Sequence, residues 1–138
     1  MTADFEMTVD LSGLQRVKTQ EPGRVDAWLR GVSVQIVGDV KLSFGTGPGG
    51  RTYKRTKDGK TKYHTASVAG NPPNSDTGNL IGTIRQEKKG NLKYHVMDGT
   101  VYGGILELKK DRAFIRPAFD LWGNGKLEAD AKQNLDLE

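Results

Sequence analysis

The feature that most constrains the fold is a run of apolar residues that recur every three or four positions after Pro22. This spacing places them on one face of an α-helix, and proline is a favourable first residue because its φ angle is already helical. The sequence therefore predicts one long helix from Pro22 through about Phe44. Gly31 and Gly38 lower its helix propensity, so packing against other elements has to stabilise it. The apolar positions are Val25, Trp28, Leu29, Val32, Ile36, Val37 and Val40.

Other segments have patterns typical of the strands that such a helix can cover. Apolar and polar residues alternate over residues 5–11, which predicts a half-buried first strand. Only a short mixed segment is expected between this strand and Pro22. Residues 85–89 and 92–97, joined by Gly90-Asn91, predict a hairpin. Its expected apolar face consists of Leu92, Tyr94 and Val96.

The most basic part of the chain is residues 51–63, RTYKRTKDGKTKY, with six Lys or Arg against one Asp. An Asp-Gly pair between extended segments is a strong hairpin signal. Both arms are polar on both faces, and a hairpin without an apolar face is marginal alone in water. Residues 45–70, which begin with a glycine loop at 45–50, are therefore predicted to form a flexible arm that orders on a partner. The predicted partner-facing residues are Arg51, Tyr53, Lys54, Arg55, Lys57, Lys60, Lys62 and Tyr63.

After this arm the chain is predicted to return to the core. Pro72 and Pro73 hold the chain extended, and Ser75 or Asp76 can cap a new helix with a side-chain oxygen. The first turn of that helix contains Thr77, Gly78 and Asn79, and the residues expected to pack inward are Leu80, Ile81 and Ile84.

The C-terminal third predicts a short apolar element, residues 101–108, and a terminal helix that opens at residues 114–117 and is interrupted at 123–125. Residues 123–138 are assigned to an acidic tail, in which the helix is expected to continue over residues 126–138. From Leu127 this tail is expected to be frayed or to dock on a basic surface. We therefore predict a single domain, residues 1–138, of the α+β class. A mainly antiparallel sheet packs against the long helix, with the basic hairpin projecting. The large side chains assigned to the core are Trp28, Phe114, Phe119 and Trp122.

Composition excludes several functional classes. The chain has no cysteine, so it has no disulfide and no thiolate site, and this suits a reducing compartment. No segment resembles a signal peptide or a membrane span, which predicts a soluble protein. His64 and His95 lack the spacing of metal ligands, and the glycine loop lacks the lysine of a phosphate-binding loop. No catalytic residue, cofactor or metal is predicted, although a hydrolase that uses Asp76 or His64 is an open alternative.

Several short motifs occur in an order that resembles one protein family. Gly13-Leu14 precedes the long helix, and the polar arm is followed by 70-GNPP-73 and 76-DTGNL-80. The C-terminal half contains Tyr102, then 105-ILE-107, then 114-FIRPA-118. Together, over about residues 5–122, these motifs resemble the small neck or tail-completion proteins of long-tailed double-stranded DNA bacteriophages. The corresponding stretches of that family read like YAPYLEFGT and RPFLRPAL.

The sequence departs from the family pattern at three places. Gly103 and Gly104 replace an Ala-Pro pair, Lys109-Lys110 stands in place of a Gly-Thr turn, and Ala113 replaces a proline. The loop after Leu108 is therefore the part of the resemblance that fits least.

The resemblance implies a structural, non-enzymatic protein of the virion neck, made in the host cytoplasm. Such a protein forms a homo-oligomeric ring, six- or twelve-fold, between a head-completion or portal-adaptor protein and the tail terminator or tail tube. Genome DNA passes through its lumen. Glu107 is then either solvated or paired with a basic residue of the adjacent subunit. The predicted subunit contacts are Leu106, Glu107, Phe114, Arg116 and Pro117.

The basic arm also supports a different function. Its charges suit phosphate groups but not the reading of base edges, so a sequence-independent nucleic-acid-binding module is the alternative. Docking of the arm on a neighbouring subunit or ring, as added strands, is the competing role.

Overall fold

The computed structural model describes residues 4–5, 13–74, 79–100, 103, 106–107 and 112–137. The fold is α+β, as the sequence predicts. In chain order the strands are β1 (Asp4–Phe5), β2 (Gly49–Lys57), β3 (Lys60–Ser67), β4 (Arg85–Gly90) and β5 (Lys93–Met97). The helices are α1 (Leu14–Gln20), α2 (Pro22–Ser43), α3 (Asn79–Thr83), α4 (Arg116–Leu121) and α5 (Leu127–Asn134).

The strands form two separate antiparallel sheets. One contains β1, β5 and β4 in that order, and the other contains only β2 and β3. The second sheet stands apart because β2 is exposed along its whole length and has no apolar face to pack. Both predicted hairpins are present, and β1 overlaps the first predicted strand at Phe5. The rest of that strand, residues 6–11, lies outside the described residues.

The long helix α2 begins at Pro22 and ends at Ser43, one residue before the predicted end. Its apolar stripe is buried at Val25, Val32, Ile36 and Val40. The helix packs against β4, β5, α1, α4 and α5, so it is the element around which the body is built. The central core around it includes Ile84, Val96, Leu106, Phe114, Ile115 and Trp122.

Hydrogen bonds at two acidic residues fix the position of α2. The Tyr94 hydroxyl on β5 donates to Asp26 Oδ2 (3.1 Å), and Lys88 Nζ on β4 lies 2.9 Å from Asp26 Oδ1. The hydrogen bond from Lys88 lowers the pKa of Asp26, while burial opposes the shift. Further along the helix, Trp122 Nε1 donates to Asp39 Oδ2 (3.0 Å). These contacts join α2 to the sheet at one end and to the C-terminal helices at the other.

The expectation of a mixed segment before Pro22 is wrong, because residues 14–20 form helix α1. Gly13, with a φ of 83°, allows the chain to turn into this helix, and Val17 is its one buried residue. Val17 packs beside Val25 and Ala131 in a second apolar cluster. One buried side chain in seven residues produces no periodic pattern, which is why the sequence gives no sign of this helix.

The C-terminal tail is not frayed, contrary to one expectation, because α5 packs on the body. Leu127, Ala131 and Leu135 are spaced four residues apart and form a buried stripe on this helix. The tail also docks on one basic residue, since Arg24 Nη2 donates to Asp136 Oδ2 (2.6 Å). Gly125, with a φ of 104°, lies at the kink between α4 and α5 that the sequence predicts.

Burial of the tail can be tested with Leu135, which is 1 % exposed. Leu135→Ala is expected to lower the free energy of unfolding by about 2–5 kcal/mol, because a buried leucine leaves a cavity. Urea denaturation of the full chain measures the change. Gln133→Ala, on the exposed side of α5, is the control and should change it by less than about 0.5 kcal/mol. Equal effects of the two substitutions would contradict the packing of α5.

Candidate functional site

The candidate site is the hairpin formed by β2 and β3. The two strands pair antiparallel from Gly49↔Ser67 to Lys57↔Lys60. The turn contains Asp58 and Gly59, with φ angles of 53° and 73°, and two positive φ angles are typical of the type I′ turn that matches the strand twist. A strand of this length spans about 30 Å. An antiparallel hairpin therefore lies at the place where the sequence predicts one.

The strand register sorts the side chains of the hairpin into two different faces. Cross-strand partners share a face, and successive pairs alternate between faces. We call one the cationic face: it contains the pairs Tyr53↔His64, Arg55↔Lys62 and Lys57↔Lys60. Arg51 lies in a register shift between Gly49 and Thr52, and its contact with the Tyr53 ring places it on the same face. We call the other the threonine face: it contains Thr52↔Thr65, Lys54↔Tyr63 and Thr56↔Thr61. Five of the six Lys and Arg residues in 51–63 therefore lie on one face.

Side-chain contacts agree with this division. The hydroxyl oxygens of Thr52 and Thr65 are 2.9 Å apart, within hydrogen-bonding distance across the threonine face. On the cationic face, the Arg51 guanidinium lies 5.1 Å from the centroid of the Tyr53 ring. Stacking on Tyr53 holds Arg51 on the same side as the other cations.

Like charges lie directly opposite each other on the cationic face. Arg55 faces Lys62 and Lys57 faces Lys60, and such pairs destabilise an antiparallel ribbon. The one acidic residue in the sequence of the hairpin, Asp58, lies in the turn. All of these residues are exposed, so water and salt screen the repulsion. The folded hairpin therefore presents a surface that a partner of opposite charge would stabilise.

The hairpin is attached to the body at its base. Arg112 Nη2 donates to the Ser67 carbonyl (3.0 Å), and Asn74 Nδ2 donates to the Thr65 carbonyl (2.8 Å). The Gly45 N–H donates to the carbonyl of Pro73 (3.1 Å), which is buried. Among the described elements, β2 and β3 make extensive contacts only with each other. The hairpin therefore projects from the body.

The prolines of the predicted motif lie next to this base. Pro72 and Pro73 are in the non-helical segment that leads away from the hairpin, as predicted. Ser75 and Asp76, the predicted caps, and Thr77 and Gly78 of the predicted first turn lie outside the described residues. The helix α3 follows at once, and the three apolar side chains expected to pack inward do so: Leu80, Ile81 and Ile84.

The structure changes the interpretation of the predicted subunit contacts. Leu106 and Phe114 are buried in the core, so their side chains are not available to a neighbouring subunit. Glu107 is also buried, and its carboxylate accepts hydrogen bonds from the N–H groups of Phe114 (2.7 Å), Ile115 (3.1 Å) and Arg116 (2.8 Å). Glu107 is therefore neither solvated nor paired with another subunit, because it caps the N-terminus of α4. Arg116 and Pro117 are exposed.

The two histidines considered for catalysis are not brought together, and Asp76 lies outside the described residues. His64 lies on the hairpin and His95 on β5, in the other sheet. The glycine loop follows α2 and leads into β2, so it does not open a helix as a phosphate-binding loop does. Within the described part of the chain, no group of three His, Asp or Glu side chains could hold a metal ion.

The body contains one apolar cavity of about 340 Å³ between α1, α2 and the β4–β5 turn. Its described lining is mostly apolar, with Lys18 and Lys93 as its charged members, and includes no Asp, Glu or His. The cavity therefore lacks the paired acid and base that hydrolysis requires.

Comparison of the chain with protein-family models, curated proteins and solved structures finds no match. Among the described helices, none has the length and apolar character needed to cross a membrane.

The repulsion on the cationic face predicts that one charge reversal strengthens the hairpin. Lys60→Glu places a carboxylate opposite Lys57, so a like-charge pair becomes an opposite-charge pair. At low salt, we expect amide hydrogen exchange in β2 and β3 to become about two- to five-fold slower. Lys54→Glu, opposite Tyr63 on the threonine face, is the matched control and should give a smaller change. Faster exchange in Lys60→Glu would show that the assigned register is wrong.

The capping role of Glu107 predicts a loss of stability within a single subunit. Glu107→Ala leaves three backbone N–H groups without their acceptor, and we expect the free energy of unfolding to fall by about 3 kcal/mol. Urea denaturation at a concentration where the protein is monomeric measures it. Glu128→Ala, at an exposed residue of α5, is the control. A loss that occurs only in the assembled state would instead support a contact between subunits.

Proposed function

We propose that this protein is a structural, non-enzymatic subunit of the virion neck of a long-tailed double-stranded DNA bacteriophage. Copies of it form a six- or twelve-fold ring that joins the head-completion or portal-adaptor protein to the tail terminator or tail tube. Genome DNA passes through the lumen. The observation that carries this proposal is the hairpin, which projects from a packed body and presents a charged surface suited to a partner.

The packing of the family-like motifs supports the proposal. The two stretches most similar to the phage family, Leu106-Glu107 and 114-FIRPA-118, contact each other directly, because the Glu107 carboxylate binds the N-terminus of α4. The stretch that contains Glu107 therefore has to supply a carboxylate, and the stretch 114–118 has to begin a helix. Because each stretch depends on the other, there is a physical reason for the two motifs to occur together. Chance similarity would give no such reason.

The division between body and hairpin suits assembly into a ring. The body is held by two apolar clusters and can act as a rigid unit. In a ring every subunit repeats the hairpin at the same angle, so contacts that are weak individually add up around the circle. Arg116 and Pro117, which are exposed at the start of α4, are the predicted contacts still available to a neighbouring subunit.

The proposal predicts the assembly behaviour of the purified protein. Alone it should be monomeric or weakly associated, and it should form a ring of high symmetry when portal or tail partners are added. Electron microscopy of the mixtures, and of virions labelled against this protein, measures both. A stable dimer that never enters virions would refute the proposal.

The same experiment includes a variant of the hairpin. Lys57→Glu with Lys60→Glu replaces one like-charge pair by another, so the stability of the hairpin should change little. The charge of this pair is reversed, which leaves three cations and two carboxylates on the cationic face, and we expect particle joining to fail. Arg16→Glu, at an exposed position of α1, is the control and should join normally. Normal infectivity of the double variant would show that the hairpin has no essential role.

A further inference from the structure

We propose that the cationic face of the hairpin binds the phosphate backbone of double-stranded DNA without reading its sequence, while the threonine face points away from the DNA. The inference rests on the proposed function in taking the hairpin as the part of the subunit that contacts partners. It adds which face makes the contact and which chemical group it holds.

The spacing of the charges fits a regular polyanion. The pairs Arg55–Lys62 and Lys57–Lys60 are two residues apart along the strands, which corresponds to about 7 Å. In duplex DNA each strand carries one phosphate for about every 3.4 Å of helix axis, so successive pairs lie about two base-pair steps apart. Arg51 lies on the same face beyond Tyr53, and the line of positive charge from Arg51 to Lys57 is about 20 Å long.

The residue types on this face favour DNA over a protein partner. Protein interfaces have a core that is depleted of charged residues and centred on buried apolar or aromatic anchors. Here the one aromatic side chain, Tyr53, is partly covered by Arg51, and the remaining residues are Arg, Lys and His. Lys and Arg are the side chains that most often neutralise phosphates.

The hairpin also lacks the side chains that best read adenine. Its sequence from residue 49 to 67 contains neither Asn nor Gln. Phosphate contacts alone give affinity without discrimination between sequences. Binding through the phosphates is therefore independent of base sequence.

The like-charge pairs give DNA a further advantage. In the free hairpin each pair repels across the ribbon, and a phosphate placed between the two cations is attracted to both. Binding also releases the counterions condensed on the DNA. Both effects favour the bound state, and both weaken as salt is added.

The test measures binding of the full-length protein to a labelled duplex of mixed sequence, about 20 base pairs long, by fluorescence anisotropy. With five phosphate contacts, the slope of log K against log salt concentration should be about −4.5. Between about 50 mM and about 200 mM salt, the affinity should then fall roughly 500-fold. No binding at the lower salt concentration would refute the proposal.

Two variants separate the faces of the hairpin. Lys62→Ala removes a cation from the cationic face and should reduce the slope by about 0.9. Lys54→Ala is the matched control, because Lys54 lies on the neighbouring pair but on the threonine face, and it should leave the slope unchanged. Loss of Lys62 relieves a like-charge pair, so weaker binding cannot be assigned to a less stable hairpin. Equal effects of the two substitutions would overturn the assignment of the face.

Two further outcomes would also overturn the proposal. One is a roughly ten-fold or larger difference in affinity between duplexes of different sequence. The other concerns competition for the labelled duplex. If polyglutamate competes as strongly as unlabelled duplex at equal charge concentration, an acidic protein is favoured as the partner. Ring formation without DNA binding would refute this inference alone. DNA binding by a protein that never enters particles would refute the proposed function alone.

Discussion

Burial of the apolar face of α2 is the interaction on which the body of the molecule depends, because α1, β4, β5, α4 and α5 all pack against this helix. Each buried valine or isoleucine contributes about 1.5–3 kcal/mol relative to an exposed one. Gly31 and Gly38 cost about 1 kcal/mol each relative to alanine. The stripe therefore outweighs the poor helix propensity, and the helix is stable only in the presence of the elements that cover it.

The hairpin is stabilised differently from the body, because it has no apolar face that could pack against the core. Its structure comes from the strand ladder, the type I′ turn and the hydrogen bonds at its base. Charges that would be costly inside the body are tolerated here, since each is exposed to water. Separation of the two parts allows the surface of the hairpin to be strongly charged without weakening the core of the body.

The sequence predicts those parts of the structure that depend on neighbouring residues. The period of α2 and the Asp58-Gly59 turn are local signals, and both elements lie where they are expected. The sequence also predicts that the terminal helix continues into α5, but it leaves open whether the acidic tail frays or docks. Docking depends on residues distant in the sequence, such as Arg24. The capping role of Glu107 has no such signal, because this residue precedes the helix by nine positions, whereas a local capping box spans three. The division of the hairpin into two faces required the strand register.

The arrangement of charge on the hairpin bears on how a neck protein could hold DNA and still release it. Contacts to phosphates are equivalent at every position along a duplex, so a protein that uses them alone can slide along DNA. Base-specific contacts would instead create positions where the DNA is held. A ring of hairpins that present Arg55, Lys57, Lys60 and Lys62 to the lumen would centre the duplex by charge from all sides while opposing its movement little. A face that holds a duplex through its phosphates, and that carries no Asn or Gln to read adenine, would suit such a passage.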